Sequence, residues 1–187
     1  MKKIFYWSPF LSNVATIGNV LNSAYSLSKY GKSSFNTYIL DILGEWSSKK
    51  KDLLAKNINH IKLGKLNINL PISGFLKSRF ISIIIFILSI SPLYFLLKRE
   101  KPDYLIIHLL TSIPLTLLIF FNFETKFILR ISGLPRLNFF RKLLWKSISK
   151  KITLVTCPSQ ETSEYIKKSR IFDENKIVIL YDPIINT

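Results

Sequence analysis

His108 ends an apolar run, KPDYLIIHLLTSIPL, that starts at Lys101. A neutral imidazole at the end of a strand could hydrogen-bond a ligand hydroxyl or orient an incoming group. The same histidine could be a satisfied core residue. Arg130, in FILRISG, could hold an anionic group such as a phosphate on its planar guanidinium, or be a surface charge at a strand end. Ser132 and Gly133 follow it in the loop SGLPRLN. Glu45 and Trp46, in GEW, could grip a ligand ring between a carboxylate and an aromatic plate, or form an exposed turn with Trp46 tucked onto the core. The turn from Asn13 through Thr16 to Gly18 could aim backbone N–H groups at a phosphate or hydroxyl from a helix N-terminus. Gly18 would permit close backbone approach. A plain connection with an N-cap explains the same spacing. No G-x-S-x-G nucleophile turn is present. His60 and His108 are far apart in sequence and Cys157 has no paired ligand, so no metal site is expected. His108 is the one candidate for a catalytic position.

These residues need elements to place them, and short apolar runs alternate with helical patterns along the chain. Strands are predicted at Lys3–Trp7, Thr37–Asp41, Ile58–Leu63, Tyr104–His108, Lys126–Ile131, Thr153–Cys157 and Lys176–Tyr181. Helices are predicted at Asn19–Tyr30, Lys49–Lys56, Ser112–Phe121, Phe139–Lys150 and Gln160–Lys168, with a loop from Gly64 to Gly74. Strands alternating with helices imply an α/β fold with a doubly wound, mostly parallel sheet. In such sheets ligands sit beyond the carboxyl ends of strands.

The 187 residues carry a formal net charge of +16, from 27 basic and 11 acidic residues. Before Glu100 the acids are Asp41, Glu45 and Asp52 alone. Such a charge attracts nucleic acid or an anionic membrane. The aromatics lie within apolar patterns and match no nucleic-acid module, so no nucleic-acid partner is expected. The abundance of Lys, Asn and Ile also fits an AT-rich coding sequence, which raises the lysine count without reference to binding. The single cysteine excludes an internal disulfide and fits a reducing compartment. The start, MKKIFYWSPFLSN, breaks its apolar stretch with Ser8 and Pro9, unlike a signal peptide. A cytoplasmic location is expected.

A rival reading makes Phe80–Leu97 and Tyr104–Phe123 a transmembrane hairpin, because both reach the roughly 18 residues that flag a span. Pro92 and Pro114 fall near the middle of these runs, where lipid cannot satisfy a freed carbonyl. Pro114 also suits the first turn of a new helix after a strand. The buried reading is therefore favoured. In RLNFFRKLLWKSISKK, Phe140, Leu143, Leu144 and Ile148 recur at helical spacing and are expected to pack on the sheet. Arg136, Arg141, Lys142, Lys146, Lys150 and Lys151, with no acid between them, are expected to face an anionic membrane.

SPFLSNVATIGNVLNSAYSLSKYG, KPDYLIIH, RISGLPRLN with its basic helix, ITLVTCPSQETSEYI and KIVILYDPI together resemble, in order, the N-terminal part of family 4 glycosyltransferases. GEW and SGLP look similar to members that build bacterial capsule or lipopolysaccharide chains. The resemblance implies a Rossmann-like, acceptor-side half of a GT-B fold over 1–181, with 182–187 starting the crossover to a C-terminal donor-binding domain that this sequence does not contain. It implies no cofactor beyond the nucleotide-sugar donor of an intact enzyme, and a lipid-linked saccharide acceptor. A separate donor-binding domain would be a further partner, without which the chain is expected to be inactive. On this resemblance His108 would meet the acceptor sugar, Arg130 an acceptor phosphate, and the location would be peripheral on the inner face of the cell membrane.

Overall fold

The computed structural model describes residues 1–11, 14–31, 34–64 and 75–183. Asn13, most of the 64–74 loop and residues 184–187 lie outside the described residues. The chain runs β1 (Lys2–Trp7), α1 (Ala15–Tyr30), β2 (Phe35–Asp41), α2 (Lys50–Ala55, entered by a 3-10 turn), β3 (Asn59–Lys62), α3 (Phe75–Glu100), β4 (Tyr104–Ile107), α4 (Ser112–Phe120), β5 (Lys126–Arg130), α5 (Phe139–Ile148), β6 (Ile152–Cys157), α6 (Gln160–Lys168) and β7 (Ile177–Ile179). The strands form one seven-stranded sheet in the order β3-β2-β1-β4-β5-β6-β7. Every pairing is parallel. The doubly wound Rossmann-like architecture expected from the sequence is the one observed.

Right-handed crossovers put α1 and α2 on one face of the sheet, because the chain moves from β1 outward to β3. After α3 carries it back to β4 the direction reverses, and α3 to α6 cover the other face. Two cores result. Ile4, Tyr6 and Ile39 pack with Val20, Leu21 and Leu53 of α1 and α2. Phe5, Trp7 and Leu105 pack with Ile85 and Leu97 of α3, Leu117 of α4 and Trp145 of α5. Gly31 ends α1 where a Cβ would come within 2.4 Å of both the Leu27 carbonyl and the Phe35 ring.

The long apolar stretch is one continuous helix, α3, that runs through Pro92. Pro92 leaves the Leu88 carbonyl without a helical donor on the exposed side, while the buried Ser89 hydroxyl donates back to the Ile85 carbonyl. From Phe80 to Glu100 the helix is long and apolar enough to cross a membrane, by length and composition alone. The hairpin is overturned by the second run. Tyr104–Phe123 is split into β4, paired with β1 and β5, and α4, with Pro114 in its first turn.

The turn closing β2 is made by two carboxyl groups. Asp41 accepts from the Gly44 N–H at 2.7 Å and lies 2.9 Å from His60 Nε2. Glu45 folds back and accepts from the Leu43 N–H at 2.6 Å and the Ile42 N–H at 3.1 Å. Gly44 sits at φ +80°, a left-handed conformation that glycine tolerates at little cost. Burial, followed by the hydrogen bond and charge of Asp41, pushes the Glu45 carboxyl from 4.5 up to about 9. Glu45 therefore keeps its proton at neutral pH.

Beyond β7 the chain returns across the α1 side of the sheet. Arg130 Nη1 donates to the Leu180 carbonyl and Nη2 to Asp182 Oδ1, both at 2.5 Å. Asn19 and Asn22 of α1 donate to Asp182 Oδ2 at 2.7 Å and to the Pro183 carbonyl at 3.1 Å. The boundary residue Asp182 is thus bound to both α1 and β5.

Two outcomes are expected. An unfolded chain releases the Glu45 proton near pH 4.5 and the folded chain near 9, so stability falls as pH rises between those values, by up to about 1.4 kcal/mol per pH unit. Urea midpoints from pH 7 to 9 should show this slope, and Glu45→Gln should flatten it while keeping the hydrogen bonds. Asp182→Asn leaves the buried Arg130 cation without its counter-charge; since Asp182 is partly exposed, the cost should be about 1–3 kcal/mol, read as a lower urea midpoint at unchanged slope.

Candidate functional site

In a doubly wound sheet the crevice forms where neighbouring strands send their connections to opposite faces. Here that point lies between β1 and β4. β1 leads through Ser8 into α1 on one side, and β4 leads through His108 into α4 on the other. Trp7 and Ile107 are register partners, so Ser8 and His108 follow at the carboxyl ends of these two strands, with Ser8 fully buried and His108 lining the crevice. The His108 N–H donates to the Trp7 carbonyl at 2.9 Å, holding the two strand ends together. The imidazole stacks on Tyr6 at 6.0 Å between centroids.

Both His108 ring nitrogens and the Ser8 hydroxyl are buried and have no hydrogen-bond partner among the described residues. Burial, and then the neighbouring Arg130 charge, lower the His108 pKa from 6.5 to about 3. The ring is neutral at physiological pH, with one nitrogen able to donate and the other able to accept. It is too weak a base to take a proton readily, so its chemistry is hydrogen bonding. Ser8 was not singled out from the sequence. A lone serine before Pro9 carries no pattern, and only the pairing with β4 puts it beside His108.

His108 and Arg130 line two cavities that meet at them. One, of about 540 Å³, lies beyond the strand ends and is bounded by Ser132, Gly133 and Asn138 with Arg141 of α5. The other, of about 440 Å³, runs along the α1 side of the sheet over Ile106, Ile128 and Leu154. That side is half-covered because every helix after the switch lies on the opposite face. His108, Arg130, Ser132 and Gly133 are therefore brought together, as candidates on separate strands can be.

Arg130 also has structural partners, and the remaining candidates fall elsewhere. Arg130, expected to hold an acceptor phosphate, spends two donors on Leu180 and Asp182, so it anchors the returning chain. Glu45 and Trp46, offered as a sugar grip, are 1% and 0% exposed and present no surface to a ligand. Trp46 meets Phe10 edge-on at 5.1 Å, and Glu45 caps its own turn. Gly18 and Thr16 lie in the first turn of α1. Gly18 faces a separate hollow of about 370 Å³ with Lys49, and a Cβ there would meet open space. Asn13 is outside the described residues.

The basic segment also differs from the expected arrangement. Trp145 and Ile148 are buried against the sheet, but Phe140 and Leu143 are 78% and 59% exposed. Helical geometry explains this: Trp145 and Ile148 lie together opposite Phe139 and Leu143. Lys142, Lys146 and Lys150 are exposed, as are Arg136 and Arg141, which are joined by a bond from Arg141 Nη1 to the Arg136 carbonyl. Lys151 is exposed too, and its ammonium donates to the Leu118 carbonyl at 2.6 Å at the end of α4.

No protein-family model matches the sequence, and no curated protein matches it. Solved structures share its fold. Anabaena HepE, in complex with UDP and glucose, superposes with TM-score 0.59 at 11% identity over 98% of this chain and 45% of its own. UDP-GlcNAc 2-epimerase from Neisseria meningitidis, bound to UDP-GlcNAc, gives 0.61 at 14% identity over 96% and 46%. The lipopolysaccharide outer core galactosyltransferase WaaB gives 0.57 at 13% identity over 98% and 46%. The chain spans about half the length of each of these proteins. At such identities the likeness is one of fold: the chain is a Rossmann-like α/β domain, corresponding to one half of a GT-B fold.

Proposed function

We propose that the chain is the acceptor-side part of a glycosyltransferase similar to family 4. A donor-binding domain that holds the nucleotide-sugar would complete the site. The acceptor would be a lipid-linked saccharide of capsule or lipopolysaccharide type, met at the cytoplasmic face of the cell membrane. The observation that carries this reading is the pair of buried, unpartnered polar side chains, Ser8 and His108, at the switch point. An unsatisfied buried polar group costs about 1–3 kcal/mol, and a ligand hydroxyl reaching His108 from the crevice would complete its bonding. A sugar hydroxyl suits a neutral imidazole beside a serine, since each can both donate and accept. His108 then positions the acceptor. Activation of the hydroxyl and binding of the leaving nucleotide belong to the donor half.

Saturation-transfer NMR with a short-chain prenyl-diphosphate saccharide tests the reading. The intact chain should give saccharide signals, and His108→Ala should weaken binding about tenfold, the effect of one lost hydrogen bond. Because the buried imidazole packs on Tyr6, the variant should melt somewhat earlier than the parent chain, so binding is compared well below both melting temperatures. Absence of saccharide signals, or equal binding by the variant, would count against the assignment.

A further inference from the structure

Helix α3 is apolar on all sides, yet the sheet covers only one of them. In its most apolar stretch 28% of the residues are buried. Ile85, Leu93, Leu96 and Leu97 face the core. On the opposite side Phe80, Ile83, Ile87 and Phe95 are 58–65% exposed. At 1.5 Å per residue this outer strip runs for about 22 Å. A helix that is hydrophobic all round belongs in a core or in lipid, and here the core accounts for one face only. α4 packs beside α3, and α5 packs beside α4. The N-terminal turn of α5 adds Phe139 and Phe140, 73% and 78% exposed, on the same side of the sheet.

The charges around this surface select its occupant. No acid occurs between Glu124 and Glu161, while α5 exposes Lys142, Lys146 and Lys150 beside its aromatic tip. A second copy would set like charges against each other, in a chain whose net charge is +16. An anionic bilayer supplies what both parts need: acyl chains for the strip and headgroup phosphates for the lysines. We infer that the outer face of α3 and the tip of α5 form a monotopic docking surface that seats the domain in an anionic membrane. α3 lies in the interface plane, its inner side kept on the sheet, and does not cross. This deepens the membrane-facing part of the proposed function and rests on that reading for the choice of leaflet alone. It stands on different residues from the crevice.

Flotation with phosphatidylcholine vesicles, with and without phosphatidylglycerol, tests the surface. The chain should float with the mixed vesicles and bind neutral ones much more weakly. Replacing Phe80, Ile87 and Phe95 together by Asn should lower partitioning about tenfold or more, and replacing Lys142, Lys146 and Lys150 by Gln should weaken the preference for anionic lipid. Ile87→Trp gives a probe that folding defects do not mimic: its emission should be quenched by brominated acyl chains, while the buried native tryptophans are spared. The inference is overturned if the parent chain stays unbound, if the Asn variant floats equally well, or if the probe is not quenched. It is also overturned if the chain runs as a dimer that the Asn substitutions dissolve, which would make the strip an interface between copies. Saccharide binding at His108 does not depend on this face, so loss of one result leaves the other standing.

Discussion

A β-strand joined to a parallel neighbour through a helix almost always crosses over in the right-handed sense, and much of this molecule follows from that preference. The chain steps outward from β1 to β3, then returns through α3 and steps the other way from β4 to β7. Reversing direction reverses the face on which helices must lie. The reversal separates the connections leaving β1 and β4 and opens a crevice lined by His108, with Ser8 buried at the end of β1. It also leaves Ile106, Ile128 and Leu154 half-covered on the α1 side, since the later helices all lie opposite. Crevice and open sheet face are two results of one rule.

Buried polar groups at the strand ends show three ways of meeting the cost of desolvation. Glu45 gives up its charge, holding a proton beside Asp41 while the turn's N–H groups fill its remaining capacity. Arg130 keeps its charge and is neutralised by Asp182, which ties the returning chain to the sheet. His108 stays neutral but keeps two ring nitrogens without partners among the described residues. The first two arrangements are closed and structural. The third is open, and it occurs where the topology leaves room for a ligand.

The helical layer on the other face has a different balance. α4 is enclosed between α3 and α5, with Leu115, Leu117 and Leu118 buried. α3 and α5 turn apolar side chains outward as well as inward, so this layer has two apolar surfaces and only one sheet. The exposed lysines of α5 border the outer surface without acids to offset them. A layer built in this way is suited to lie between a protein core and an anionic, apolar boundary.

The sequence by itself determined the order of elements and the parallel sheet, because alternation of apolar runs with helical spacing is local information. Thr37–Asp41 and Gln160–Lys168 lie where periodicity puts them, within two residues. Pro114 marked the break that makes β4 and α4 two elements. Pro92, of the same residue type, did not break α3, since an exposed carbonyl can lose its donor where a buried one cannot. Which side chains meet was decided by tertiary structure alone. Periodicity assigned Phe140, Leu143, Leu144 and Ile148 to the core, but the phase of the helix on the sheet buried Ile148 with Trp145 and left Phe140 and Leu143 outside. Arg130 was legible as a charge at a strand end, while its partner lies 52 residues away. Ser8 acquired significance only beside His108, 100 positions further along, through a strand register. Local spacing encodes which residues share an element's face, but only packing of elements distant in sequence decides what that face meets.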